Sequence, residues 1–389
     1  CYDSRLKPFG SCRICPVEVQ AKEGAAPRVV AACHTPVTDG MIIHHQTDRV
    51  DRVRRNILEL MLSDMSEVSQ DADNEFNRVA RKLGVEKSRY TSNRNHKDVG
   101  SDTSHPYMVS DLSQCINCYR CVRACDEIQG EFVLGMHGRG FTNRIIKGMD
   151  QSFKESPCIS CGACSQTCPT GAINDVFNNH NIKPEKVVRT VCSYCGVGCN
   201  LDVAVRDGKI LGIKAPVDAE VNAGHTCLKG RYAFNFYRHP DRLRSPMIKR
   251  NGAFDEVSWD EAYDYIVAEL TRIRRENGPD AIAGISSARC TNEENYLMQK
   301  FIRAVIGTNN IDCCARVCHS PTAYGMQQSF GTGAATNSIE DIQHTDLMMV
   351  IGANPTQAHP VTGAKIKQFA LKNKPVIVVD PIVTEMARH

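Results

Sequence analysis

Residues 115–125, CINCYRCVRAC, and residues 158–168, CISCGACSQTC, decide how this chain is read. Both run C-x2-C-x2-C-x3-C, and Pro169 follows the second. Four thiolates bind a [4Fe–4S] cluster, and in a doubled run of this kind the fourth cysteine of each motif serves the other cluster. The spacing therefore assigns Cys115, Cys118, Cys121 and Cys168 to one cluster, and Cys158, Cys161, Cys164 and Cys125 to the other. Every iron in such a pair is fully ligated. The pair can carry electrons, but it offers no open position to a substrate.

The 389 residues include 20 cysteines, and sixteen of them fall into four groups of four, each with a C-x2-C step. Upstream stand Cys1, Cys12, Cys15 and Cys33; downstream stand Cys192, Cys195, Cys199 and Cys227. A long chain with a 42% hydrophobic share has a core of its own, unlike small secreted scaffolds that depend on disulfides. Repeated C-x2-C steps are metal-ligand spacing. Iron–sulfur ligation is thus the stronger reading, over disulfides and zinc ribbons, and it implies a reducing, cytoplasmic setting. The net charge of +3 supplies no concentrated basic face for nucleic acid. No apolar run approaches the roughly 18 residues of a membrane helix.

Residues 1–48 hold the first group, 49–104 a helix (Arg52–Leu62) and a polar connection, and 105–180 the doubled motif. The fourth group occupies 186–244, where NLDVAV-RDGK-ILGIKA reads as a β-hairpin turning at Asp207-Gly208. From 245 to 389 helices and strands alternate. Ser258 to Glu261 is a capping box, Gly278-Pro279 stops the helix it opens, and Thr291 to Glu294 caps another. Strands at 281–285, 347–352 and 376–380, with a helix near 361–372, predict a parallel, doubly wound α/β layer. The chain is expected to begin and end inside domains, with a further helix opening at His389.

The first group runs C-x10-C-x2-C-x17-C and contains GSCRICPVEV and AACHTPVTDGM. It resembles the β-grasp [2Fe–2S] module of the complex I iron–sulfur subunit, formate dehydrogenase α subunits and iron-only hydrogenases. Those proteins usually follow it with a cluster held by H-x3-C-x2-C-x5-C. Residues 64–84 here contain neither cysteine nor histidine, so that cluster is not expected. The electron route past the [2Fe–2S] centre is then an open question. His44, His45, His96 and His105 read as surface or packing residues. The doubled motif is that of a two-cluster ferredoxin.

The fourth group, with VCSYCGVGC and CLKGR, resembles the [4Fe–4S] domain of molybdopterin oxidoreductases of the dimethyl-sulfoxide-reductase superfamily. The resemblance implies that Lys229 lies between cluster and pterin and helps pass electrons. Residues 292–322, NEENYLMQKFIRAVIGTNNIDCCARVCHSPT, resemble the metal-ligating segment of formate dehydrogenases. On that match Cys318 is the molybdenum or tungsten ligand and His319 its catalytic neighbour. Arg289, Gly352, Asn354 and Asp380 would contact a bis-molybdopterin guanine dinucleotide, although the arginine usual after Asp-Pro is Ile382 here. Cys290, Cys313 and Cys314 read as packing.

The resemblance implies the catalytic (α) subunit of a formate dehydrogenase, oxidising formate to CO2 through one [2Fe–2S] and three [4Fe–4S] clusters. Its electron acceptor would be a flavin- or NAD-binding partner subunit, ferredoxin, a quinone-linked subunit or a hydrogenase. One rival is a nitrate-reductase-like enzyme, which would not be expected to place a histidine directly after the metal cysteine. The other is a pterin-free electron-transfer subunit, against which Lys229, Cys318 and His319 count. The arginine that orients formate in the family falls beyond His389, so these residues alone are expected to be inactive.

Overall fold

The computed structural model describes residues 1–65, 73–91, 100–177 and 182–388. It divides into two compact units, Cys1–Phe234 with Ile339–His389, and Asn235–Ser338. No helix among the described residues is long and apolar enough to cross a membrane.

Thiols distant in sequence meet only if a scaffold brings their loops together, and short antiparallel sheets do this in the first unit. Pro16–Gln20 is the centre of a three-stranded antiparallel sheet, between Arg28–Ala31 and Ile42–His44. Val17 and Val19 turn inward with the two-residue period of a strand. Thr47 accepts a hydrogen bond from the Val50 N–H at 3.2 Å and opens the helix Asp48–Asp64. That helix runs longer at both ends than the apolar spacing of Arg52–Leu62 predicts.

Leu58, Met65, Phe76 and Val85 form a small apolar core between this helix and the next, Glu75–Lys82. The described part of 64–84 therefore contributes core side chains. Residues 66–72, and His96 with residues 92–99 of the polar connection, lie outside the described residues. The second helix is tied to the doubled motif, because the Phe76 N–H donates to Pro169 O at 2.9 Å.

In the doubled motif, Met108–Asp111 pairs antiparallel with both Ser101–Asp102 and Ile173–Asp175, and Leu134–His137 pairs with Arg144–Lys147. Each cysteine run turns into a short helix, Arg120–Arg123 or Ala163–Thr167. The loops before them enter the left-handed region at matching places. These are Asn117 (φ 49°) and Tyr119 (φ 65°) in the first, Ser160 (φ 60°) and Gly162 (φ 72°) in the second. The repeat is not symmetric in its surroundings. A Cβ at Gly162 would stand 2.3 Å from Arg231 Cδ, whereas the Tyr119 ring has room to pack on Phe9 at 5.0 Å between centroids.

Lys186–Val191, Asn200–Arg206 and Lys209–Lys214 form the next antiparallel sheet. Its hairpin turns at Asp207 (φ 49°) and Gly208 (φ 67°), as the Asp-Gly pair predicts. Residues 178–181 of the polar stretch before it lie outside the described residues.

The α/β stretch is shared between the units. In Asn235–Ser338, Ser258 Oγ accepts from the Glu261 N–H at 3.1 Å, and the helix Trp259–Asn277 stops at Gly278. The reciprocal capping box stands at Thr291–Glu294. The strand expected at 281–285 forms at Gly284–Ser286, because Pro279–Ala281 takes a 3-10 turn first. It pairs in parallel with Ile311–Cys313. In the other unit Met348–Ile351 pairs in parallel with Val376–Val379, connected by Pro360–Ala370, and Glu385–Arg388 is helical.

Candidate functional site

All four thiol groups lie within the first unit. Cys1 and Cys12 are buried in one apolar cluster that Cys33 borders. Burial pushes the Cys33 thiol up, and the neighbouring Cys15 and Cys12 push it the same way. In the doubled motif, burial and then Cys168 push the Cys118 thiol up to about 11. Cys121 is raised by burial, then by Cys118, Cys115 and Cys168. Cys161 is pushed up to about 12 by burial and by Cys125 and Cys158, and Cys164 feels Cys161, Cys158 and Cys125 after its own burial. Cys168 and Cys125 thus neighbour the thiols of the opposite run, which is the geometry an exchange of fourth cysteines requires. In the fourth group burial drives the Cys199 thiol to about 12, assisted by Cys192, Cys227 and Cys195.

Buried thiols this close resist ionisation unless a cationic core compensates them, and thiolate is the ligating form. Whether an iron–sulfur core fits can be tested on the polar atoms nearby. Among the described residues, the buried side-chain polar atoms without a hydrogen-bond partner are Arg120 Nε, Arg123 Nε, Asp126 Oδ1, Thr226 Oγ1 and both His225 ring nitrogens. Every one lies within two residues of a quartet cysteine. Native interiors leave few such atoms unpaired, and all of these except Asp126 Oδ1 can donate, so the concentration of donors at the quartets fits the presence of a sulfide-bearing group there. Among the described residues no three His, Cys, Asp or Glu side chains close to the spacing of a single metal ion.

The quartets are also joined to one another. Cys118 of the doubled motif packs in the same buried cluster as Cys1 and Cys12. At the other end, Arg231 of CLKGR is 3% exposed and donates from Nε and Nη2 to Asp175 Oδ2 at 3.1 and 2.7 Å. Its Nη1 donates to Gln166 Oε1 at 2.7 Å. Reading the cysteines alone passes over Asp175, although Arg231 sits inside a quoted phrase. Lys229 is exposed on the short helix Leu228–Tyr232 and lines a cavity of ≈ 180 Å³ with Cys161, Cys227, Thr356, Gln357 and Lys367.

Gly352 (φ 57°) follows the strand Met348–Ile351, and its N–H donates to Val379 O at 2.8 Å. Asn354 Oδ1 accepts from Thr356 Oγ1 at 2.7 Å, and Asp380 Oδ1 accepts from the Ile382 N–H at 3.1 Å. All three stand beyond carboxyl ends of parallel strands, where such folds place ligands. Arg289, Cys318 and His319 belong to the other unit and are exposed. Cys318 ends the turn Ala315–Cys318, and His319 links it to the helix Ser320–Phe330.

One smaller expectation differs from the structure. Cys290 and Cys314 are exposed, so these two are not packing residues of the unit that holds them, whereas Cys313 is half-buried. His44 and His45 are exposed as expected. His105 is buried, where it accepts from the Tyr107 and Met108 N–H groups and meets Ser160 Oγ at 2.9 Å.

The four cysteine groups fall within stretches that match known protein families. Residues 1–48 match the 2Fe-2S iron-sulfur cluster binding domain, and residues 105–174 the ferredoxin-like domain of NADH-quinone oxidoreductase subunit 3. Residues 185–239 match the molybdopterin oxidoreductase Fe4S4 domain and residues 242–389 molybdopterin oxidoreductase itself. These last two cover more than half of the chain, and the chain belongs to the molybdopterin oxidoreductases. It is 32% identical over 435 residues to the "Probable oxidoreductase YjgC" of Bacillus subtilis (strain 168), covering 100% of this chain and 43% of that protein. It is 30% identical over 419 residues to a "Putative formate dehydrogenase" of Staphylococcus aureus (strain USA300), covering 95% of this chain and 41% of that one. The chain therefore spans less than half the length of these relatives. A crystal structure of NAD+-reducing [NiFe]-hydrogenase shares 26% identity at a TM-score of 0.40, over 45% of this chain and 74% of that one.

Proposed function

We propose that this chain is part of a formate dehydrogenase catalytic subunit, working in the reducing cytoplasm and passing electrons to a partner subunit or ferredoxin. The observation that carries the reading is the exposed Cys318-His319 pair, set just beyond the strand Ile311–Cys313 of a parallel pair. It stands within a segment that matches the molybdopterin oxidoreductases. The naming of relatives at 30% identity as formate dehydrogenases supports the substrate.

A molybdenum or tungsten held by a bis-molybdopterin guanine dinucleotide would supply the redox chemistry, with formate losing two electrons and one proton to become CO2. Cys318 offers a soft thiolate to such a metal. The His319 imidazole, next to it, can hold and release a proton near neutral pH. Lys229, Arg289, Gly352, Asn354 and Asp380 are the groups proposed to meet the pterin and its nucleotides. The four quartets would hold one [2Fe–2S] and three [4Fe–4S] clusters. With Cys118 against Cys1 and Cys12, the first two quartets share a buried border without a histidine-ligated cluster between them.

The test uses the full-length natural protein, purified without oxygen, and follows formate-dependent reduction of a viologen dye. Reduction by the parent and none by Cys318→Ala supports formate as substrate and Cys318 as essential. A parent that carries its metal and clusters yet does not reduce the dye overturns the formate reading, and other oxyanions become the substrates to assay.

A further inference from the structure

Two arginines inside the first cysteine run of the doubled motif are buried, although arginine is a residue that is mostly exposed. Arg120 and Arg123 are each 7% exposed and stand three apart on one short helix, so they share a face. Both reach out of the ferredoxin-like part into the N-terminal segment. Arg120 Nη2 donates to Tyr2 O, and Arg123 Nη2 donates to Cys1 O at 2.7 Å. Arg123 Nη1 donates to Lys7 O, and its guanidinium lies over the Phe9 ring at 5.1 Å. Arg120 Nη1 donates to Thr167 O at 3.1 Å, beside Cys168.

Their charges are not balanced alike. Arg120 is paired with Glu75 at 2.6 and 2.9 Å. No carboxylate pairs with Arg123 among the described residues. A guanidinium removed from water without a counter-anion is strongly unfavourable. Each of the two also keeps a buried Nε–H with no acceptor. The anions that this border would contain, on the reading that the quartets hold iron–sulfur clusters, are the clusters themselves, because four thiolates outweigh the positive charge of the core they bind. Hydrogen bonds and charge beside cluster sulfurs are among the determinants of reduction potential.

We propose that Arg120 and Arg123 form a cationic clasp between the first two quartets, and that Arg123 holds the [2Fe–2S] centre at a raised reduction potential. Both act as positioning residues, through Cys1, Cys118 and Cys168. When one electron enters, no bond forms or breaks; the site gains one negative charge, which a fixed guanidinium stabilises. An electron is therefore held at this border more firmly than it would be without the guanidinium. The clasp also fixes the backbone of Cys1 relative to Cys118, which sets how closely the two quartets approach.

The experiment uses the full-length natural protein, purified anaerobically as parent, Arg123→Met and Arg123→Lys. Iron and acid-labile sulfide are counted, and each cluster is titrated redox-potentiometrically by electron paramagnetic resonance. The Cys192–Cys227 cluster serves as internal reference. The expected result is a shift of the [2Fe–2S] reduction equilibrium in Arg123→Met of at least tenfold toward the oxidised form, about 59 mV lower for a one-electron couple. The reference stays unmoved, and Arg123→Lys retains most of the parent value. Full cluster content in Arg123→Met with an unshifted potential overturns the proposal, as does an equal shift in Arg123→Lys. If Arg123→Met loses the [2Fe–2S] iron, Arg123→Lys decides: restored iron and potential support the clasp, and failure to restore them overturns it. A parent without a [2Fe–2S] signal overturns instead the reading of Cys1, Cys12, Cys15 and Cys33 as ligands.

Discussion

Arg231 and Asp175 form a buried ion pair in which Nε and Nη2 both reach Oδ2, at 3.1 and 2.7 Å. Tyr232 Oη donates to the other carboxylate oxygen of Asp175 at 2.8 Å. One carboxylate at the end of a ferredoxin-type strand thus anchors two consecutive residues of the next module. Removing one partner of such a pair strands a buried charge. Asp175→Ala is expected to cost about 3–5 kcal/mol, read as a lowered denaturation midpoint. A cost below about 1 kcal/mol would mean that Gln166 and Ser165 satisfy Arg231 without it.

Gly162 stands where both a left-handed backbone and an absent Cβ are required. Its φ is 72°, and a Cβ there would meet Arg231 Cδ at 2.3 Å and Tyr232 Oη at 2.5 Å. Gly162→Ala is expected to lose the iron of the Cys158, Cys161, Cys164 and Cys125 quartet while the other quartets keep theirs. Tyr119→Gly, at the matching place in the first run, is expected to retain its iron. Iron per chain, counted for both variants, checks the contrast.

The exchange of fourth cysteines makes a crossed prediction. Cys125→Ala should abolish the cluster of the second run, and Cys168→Ala that of the first. Electron paramagnetic resonance of the two variants should show complementary losses. Loss of the same signal in both would contradict the exchange.

Acid stability has an identifiable contributor away from the quartets. Burial alone would raise the Asp102 carboxyl, but Lys147 at 2.8 Å, Ser104 and the Phe153 N–H outweigh it and hold the group well below its ordinary 3.8. A carboxylate with a depressed folded-state pKa contributes stability above its unfolded value, and the contribution fades as pH falls from about 4 through the folded value. Asp102→Asn should therefore lose stability at pH 7 and flatten the acid limb of the unfolding curve below pH 4. Parallel curves for parent and variant down to pH 2 would remove Asp102 from that role.

Much of the fold is legible because its signals are local. Cysteine spacing marks out the quartets, and Asp207-Gly208 and Gly278 mark a turn and a helix end that the structure repeats. What cannot be read depends on contacts between distant segments. Nothing in the local sequence marks Arg120 and Arg123 as buried, yet both are, with hydrogen bonds to the Tyr2 and Cys1 carbonyls far away in the chain. The strand near 281–285 starts late because Pro279 holds the backbone in a helical turn, which apolar spacing alone does not register. The exposure of Cys290 and Cys314 is hidden for a related reason: a thiol's burial is set by its neighbours, and a lone cysteine carries no periodicity.

The shared burial of Cys118 with Cys1 and Cys12 has a consequence for biogenesis. Before metal insertion, thiols belonging to two different centres share one apolar cluster, away from water. A centre filled on either side of this border therefore also covers a thiol that its neighbour needs.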